Sequence, residues 1–175
     1  SSTFNAISPV CVNVGSIITY TGNADTSATY TWGFSGGMIN SGSGQGPYTV
    51  AWPSAGTQVV SLTVAQNGCV SYPSNFNLTV NPIPTVNSIA TQVKCNGSLS
   101  DAIIFSGSVP GTIYHWTNNN PSINLVASGT GNIPAFALTN TSNTPITATI
   151  TVTPAYEFAG ETCTGATTSF TITVN

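Results

Sequence analysis

The side chains able to do acid–base or electrostatic chemistry are few enough to name. They are Asp25, Lys94, Asp101, Glu157 and Glu161, with His115 the one histidine. A nucleophilic triad needs an imidazole base and an acid that orients it. His115 stands between Tyr114 and Trp116, and strand alternation turns it outward with Thr117, into solvent. Glycoside hydrolysis needs two carboxylates roughly 5–10 Å apart. Glu157 and Glu161 are the only near neighbours, and their place in a loop before Cys163 reads as a pair of surface acids. Calcium takes about six to eight oxygens, usually several from carboxylates. There is no D-x-D-x-D run, so Asp25, with Asn23 and loop carbonyls, makes at most a weak site and reads as a plain turn. Lys94 with Asp101 as partner acid has the ingredients of a Lys–Asn isopeptide bond. The dry, Phe-flanked setting this needs is not evident, and the first half of the chain has no Lys.

Binding chemistry is equally thin. Ser41-Gly42-Ser43-Gly44-Gln45-Gly46 lacks the Lys-Ser/Thr ending and the following helix of a phosphate loop, so it reads as an exposed hairpin. Trp52, with Tyr72 and Tyr156, is the best aromatic platform for stacking a sugar. Trp52 shares a strand face with Tyr48 and Val50, however, which points to core packing. The Asn-x-Ser/Thr sequons at Asn77, Asn96 and Asn140 are no more than this Asn- and hydroxyl-rich composition produces by chance. No catalytic residue, cofactor or metal is assigned, and the chain is not expected to be an enzyme.

The elements that position these residues repeat. Tyr30, Trp32 and Phe34 alternate with Thr31 and Gly33, the period-two signature of a half-buried strand. Tyr114 and Trp116 form a weaker copy. Cys11 to Trp32 and Cys95 to Trp116 are both 21 positions, and Cys69 to Val80 and Cys163 to Val174 are both 11. Each copy closes on a matching strand, Phe76–Asn81 and Phe170–Asn175. Two tandem domains follow, 1–81 and 82–175, with Asn81-Pro82-Ile83-Pro84 as a Pro-stiffened junction. Strands are also expected near 85–93, 103–106, 113–117, 123–127 and 133–138, and Asn67-Gly68 is a tight-turn dipeptide. Many short strands with turn signals and no helical period read as antiparallel β-sandwiches.

Cysteines fall two per repeat. Zinc would need close pairs such as C-x2-C, which are absent. Three disulfide pairings are formally possible; Cys11–Cys69 and Cys95–Cys163, one per domain, fit the repeat best. Disulfides imply an oxidising compartment, so the chain is expected to be secreted or at the cell surface. Only 3% of residues are charged, while Ser, Thr and Asn exceed a third. One basic residue excludes an electrostatic nucleic-acid footprint and a polybasic membrane patch. No apolar run approaches the ~20 residues needed to span a bilayer. No leader is read at Ser1, so the sequence is expected to be mature or cut from a longer chain.

The aromatic strand resembles the hallmark of the polycystic-kidney-disease (PKD) domain, Tyr-x-Trp-Asp-Phe-Gly-Asp-Gly, at Tyr30, Trp32, Phe34 and Gly37. Ala55–Val64 is similar to that family's Pro-Gly-x-Tyr-x-Val-x-Leu-x-Val strand. Both hallmark Asp positions are Gly here, Gly33 and Gly36, and the second copy keeps only Tyr114 and Trp116. The resemblance implies an all-β fold of two immunoglobulin-like, PKD-like sandwiches. It also implies the kind of diverged repeat found in very long surface proteins of gliding bacteria with type IX secretion. The expected role is a non-catalytic structural or adhesive module of an extracellular protein or fibre. Its expected partners are neighbouring repeats or identical subunits, and surface glycans. The alternative is a carbohydrate-binding or spacer module of a secreted polysaccharide-degrading enzyme.

Overall fold

The computed structural model describes every residue from Ser1 to Asn175. Strands carry nearly all its regular structure, because the chain alternates apolar and hydroxyl side chains at period two. The chain divides into two compact units, Ser1–Pro82 with Phe158–Glu161, and Ile83–Glu157 with Thr162–Asn175.

The first unit holds β1 (Phe4–Ala6), β2 (Val10–Cys11), β3 (Ser16–Tyr20), β4 (Thr29–Gly33), β5 (Met38–Ser41), β6 (Tyr48–Ala51), β7 (Gly56–Gln66), β8 (Cys69–Val70) and β9 (Ser74–Asn81). One sheet runs β1-β3-β6-β5 and the other β2-β9-β7-β4, with β8 added to β7. Strand β2 lies parallel to the end of β9, and the other pairs are antiparallel. Lettered in chain order, A-B-E-D and A′-G-F-C make an immunoglobulin-like sandwich. Ile18, Tyr48 and Val50 from the first sheet meet Val10, Val60, Leu78 and Val80 from the second, with Trp52 among them. Strand β1 lies at the edge of its sheet.

The second unit repeats one layer faithfully and the other loosely. Its sheet runs β10 (Gln92–Lys94), β15 (Thr168–Val174), β13 (Ile146–Phe158), β11 (Ile113–Asn118), β12 (Ser128–Thr130), with β14 (Glu161–Thr164) added to β13. As in the first unit, β10 runs parallel to the closing strand. The facing layer is extended chain whose β-bridges are the isolated pairs Leu99↔Ala137 and Ile103↔Ile133. Pro134 has no N–H to give a ladder, and side chains replace missing backbone partners. The Phe105 N–H donates to Asn132 Oδ1 at 2.9 Å and the Phe136 N–H to Ser100 Oγ at 3.1 Å. This layer still delivers Ile103, Phe105, Ile123, Leu125, Ile133 and Leu138 to the core.

Several expectations need correction. Of the strand expected over 85–93, only its end is β10. The segment 123–127 is not a strand, because Pro121–Ile123 forms a 3-10 turn that ends on Asn124 at φ 73°. The strands expected at 103–106 and 133–138 reduce to the isolated bridges.

The expected disulfides, one per domain, are also replaced. The structure has one disulfide, Cys11–Cys163, and Cys69 and Cys95 are free, exposed thiols. Sheet register gives the reason. Cys11 pairs with Asn81, beside Val80, which pairs with Gly56; Cys69 pairs with Gln66. Gly56 and Gln66 are opposite ends of β7, roughly 33 Å apart at about 3.3 Å per residue. A disulfide needs Cα atoms within about 7 Å. Cys95 and Cys163 repeat the problem: Cys95 follows β10 at the Val174 end of the sheet, and Cys163 lies on β14, which pairs with β13 after the turn at its other end.

Candidate functional site

The aromatic strand is built into the first core. Trp32 stacks on Phe34 at 5.9 Å and 10°, takes Phe4 edge-on at 5.2 Å and meets Tyr48 at 5.5 Å. Its indole N–H donates to Gly44 O at 3.1 Å. Tyr30 goes elsewhere: its ring meets Tyr20 and its hydroxyl lies within hydrogen-bonding distance of the Ala24 and Asp25 carbonyls. In the second unit Trp116 is buried and Tyr114 packs at the core edge.

Trp52, the strongest sugar-platform candidate, is 1% exposed, and its indole N–H donates to Phe34 O at 2.7 Å. Tyr72 is 93% exposed but stands alone in the loop after β8, and Tyr156 is half-buried on β13. With Trp52 sealed in the core, the first unit keeps only Tyr72 of these rings exposed to solvent. Acrylamide should quench Trp52 and Trp116 fluorescence weakly and half-buried Trp32 more strongly. Single-Trp variants would separate the three signals.

The polar candidates stay dispersed. His115 is exposed on β11, and its Nδ1 shares a 3.2 Å hydrogen bond with Thr130 Oγ1. Glu157 and Glu161 flank the Ala159-Gly160 turn between β13 and β14. Lys94 and Asp101 do come together, as a 2.8 Å salt bridge. Asp101 is 70% exposed, so the dry setting of an isopeptide bond is missing, and a pair this exposed is worth little. The Ser41–Gly46 stretch connects antiparallel β5 and β6, the expected hairpin, with Gly42, Gly44 and Gly46 at positive φ. No three His, Cys, Asp or Glu side chains gather to hold a metal.

Asp25 holds a turn. Its Oδ1 accepts from Ser27 Oγ at 2.5 Å and from the Ser27 N–H at 2.8 Å, while Asn23 Oδ1 accepts from the Ser1 ammonium. The Ser27 hydroxyl, then its N–H, holds the Asp25 carboxyl below its ordinary 3.8. A lowered carboxyl stabilises the turn fully above the ordinary value, and that contribution is lost as pH falls through the lowered one. An NMR titration should show this depressed midpoint, and Ser27→Ala should move it back up. At Gly33 an added side chain would meet Ser61 Oγ at 2.5 Å, and Gly36 adopts φ +78°.

The sequons differ sharply. Asn77 and Asn96 are exposed, but Asn140 is buried. Its amide donates to Thr144 O and Val174 O, both at 2.9 Å, and its Oδ1 accepts from the Ser142 N–H at 2.9 Å. That amide is structural. Asn140→Ala should lower stability by about 1–3 kcal/mol by leaving buried carbonyls unpaired, measured by urea denaturation. Sequence reasoning grouped all three sequons together; only the hydrogen bonds separate them.

No protein-family profile and no curated protein matches this sequence. Among solved structures, human mucin-like protocadherin EC1-2 is 12% identical, with a TM-score of 0.33 over 100% of this chain and 99% of that one. The tandem Ig repeats of Dlar are 12% identical, with a TM-score of 0.28 over 100% of both chains.

Proposed function

We propose that this chain is a non-catalytic structural and adhesive module. In this reading it is two PKD-like immunoglobulin-fold repeats of a long extracellular protein or fibre on a bacterial surface. The observation that carries the reading is the fate of the chemistry-bearing residues. Trp32, Trp52 and Trp116 serve their own cores, and no three His, Cys, Asp or Glu side chains gather. Meanwhile the same closing sheet recurs in both halves, down to a parallel strand at its edge. A repeated unit with no gathered catalytic side chains suits a spacer or shaft. The disulfide suits an oxidising, extracellular setting, and no helix is long and apolar enough to cross a membrane. Its partners would be neighbouring repeats or further copies, with surface glycans as secondary contacts.

The carbohydrate-binding reading loses Trp52 to the core and keeps Tyr72 as a solitary exposed ring. Light scattering and negative-stain imaging of material isolated from its source test the choice. Long regular filaments or arrays are expected. A discrete monomer with measurable affinity for a polysaccharide would overturn the proposal in favour of that rival.

A further inference from the structure

The four cysteines belong to two structural classes, and each class occurs once per repeat. Cys11 and Cys95 are the strand-end class. Cys11 pairs with Asn81 at the end of β9; Cys95 directly follows Lys94, which pairs with Val174 at the end of β15. The next N–H closes on the same carbonyl in each copy, Val12 to Asn81 O at 3.0 Å and Asn96 to Asn175 O at 2.9 Å. The turn after it also matches: the Val14 N–H donates to Cys11 O, and the Ser98 N–H to Cys95 O.

Cys69 and Cys163 are the hairpin class. Each lies on the short strand after a tight turn with two positive φ values, Asn67-Gly68 at 52° and 79°, Ala159-Gly160 at 50° and 82°. The one disulfide takes a member of each class, Cys11 with Cys163. One strand-end thiol, Cys95, and one hairpin thiol, Cys69, are left over. Both are free and exposed, whereas Cys11 and Cys163 are buried.

We propose that Cys95 of one chain forms a disulfide with Cys69 of a second copy, so that chains are joined covalently in series. This deepens the structural-module reading and rests on it. Each chain carries one thiol of each kind, so the link is heterologous, and its repetition gives an open chain of subunits. The sequence is nearly free of charge, so no strong repulsion between like surfaces opposes the approach.

The oxidant is a disulfide donor such as oxidised glutathione. A thiolate attacks the donor, giving a mixed disulfide and one released thiol. The second protein thiolate then attacks the protein sulfur of that mixed disulfide and releases the other donor half. Two protein thiols lose two electrons and two protons, and the donor disulfide becomes two thiols.

The full chain, incubated with oxidised glutathione and run without reductant, should give a ladder extending well beyond the dimer and collapsing on reduction. Cys69→Ser alone and Cys95→Ser alone should each lose every band above the monomer. An equimolar mixture of the two variants should give a dimer and nothing longer, since each chain then supplies one complementary thiol. Peptide mapping of that dimer should find Cys69 joined to Cys95. A wild-type chain that stays monomeric, or single variants that dimerise as readily as the mixture, would overturn the proposal. Regular filaments that persist in the Cys69→Ser/Cys95→Ser double variant would also overturn it, while leaving the structural-module reading standing.

Discussion

Trypsin acting on the denatured but unreduced chain will make one cut and release nothing. Lys94 is the only Lys or Arg, so cleavage yields 1–94, with Cys11 and Cys69, and 95–175, with Cys95 and Cys163. The Cys11–Cys163 disulfide holds these fragments together at the mass of the intact chain plus one water. A reductant then separates them completely. Cys11–Cys69 and Cys95–Cys163 pairing would give the opposite result, with the fragments parting before any reductant is added. Free thiols must be alkylated first, because an exposed thiolate attacks disulfides once the chain unfolds. That step adds a second readout: two alkyl groups, on Cys69 and Cys95. The difference is all or none and is read directly by mass spectrometry.

The failed disulfide expectation shows what the spacing contained. The matching intervals correctly made Cys11 equivalent to Cys95 and Cys69 to Cys163. They also held the refutation, because the 11 positions from Cys69 to Val80 include nearly the full length of one extended strand, β9. A cysteine at one end of that strand cannot reach one paired at the other. Equivalence in sequence was mistaken for proximity in space. What could be read correctly was local. Trp32 and Trp116 sit on β4 and β11 because alternating aromatic and hydroxyl residues suit a sheet with one buried face. Asn67-Gly68 makes its turn because both residues tolerate positive φ.

Other elements were hidden for physical reasons. Ala159-Gly160 makes the same tight turn with a residue that rarely adopts that conformation, so the sequence showed only a loop before Cys163. The loose layer of the second unit reads as strands in its apolar pattern, but Pro134 and side-chain hydrogen bonds interrupt its ladder. Of the candidate site, the burial of Trp52 was legible. Trp52 was assigned to the core from its face-sharing with Tyr48 and Val50. The structural amide of Asn140 was not legible, because its partners at Thr144 and Val174 lie in a turn and on a distant strand.

Replacing Trp52 by Ala should be the most damaging single change in the first unit. The side chain is 1% exposed and packs with Ile18, Tyr48, Val50 and Leu78 in one core cluster. Truncating a buried Trp costs about 3–5 kcal/mol in lost burial and residual cavity. It also leaves Phe34 O without the indole N–H that reaches it at 2.7 Å. With an m-value of about 1–3 kcal/mol per M in urea, the midpoint should fall by roughly 2 M. Trp32 would report the transition in a Trp116→Phe background.

A second substitution ties this cost to the packing itself. A Cβ on Gly37 would lie 2.6 Å from Val50 Cγ1 and 2.7 Å from Trp52 Nε1. Gly37→Ala should therefore destabilise the native chain by about 1–3 kcal/mol through overpacking. In the Trp52→Ala background the ring is gone, and Val50 can turn into the vacated space. The two changes should then be markedly less than additive, with a coupling of about 1 kcal/mol or more, as expected of residues in direct contact. Strict additivity would mean that Gly37 does not press on Trp52 and that the tight turn at Phe34–Gly37 is not held by the ring beneath it. A Trp52→Ala loss below about 1 kcal/mol, typical of surface positions, would place the side chain outside the core and return it to the solvent-facing role of a sugar platform.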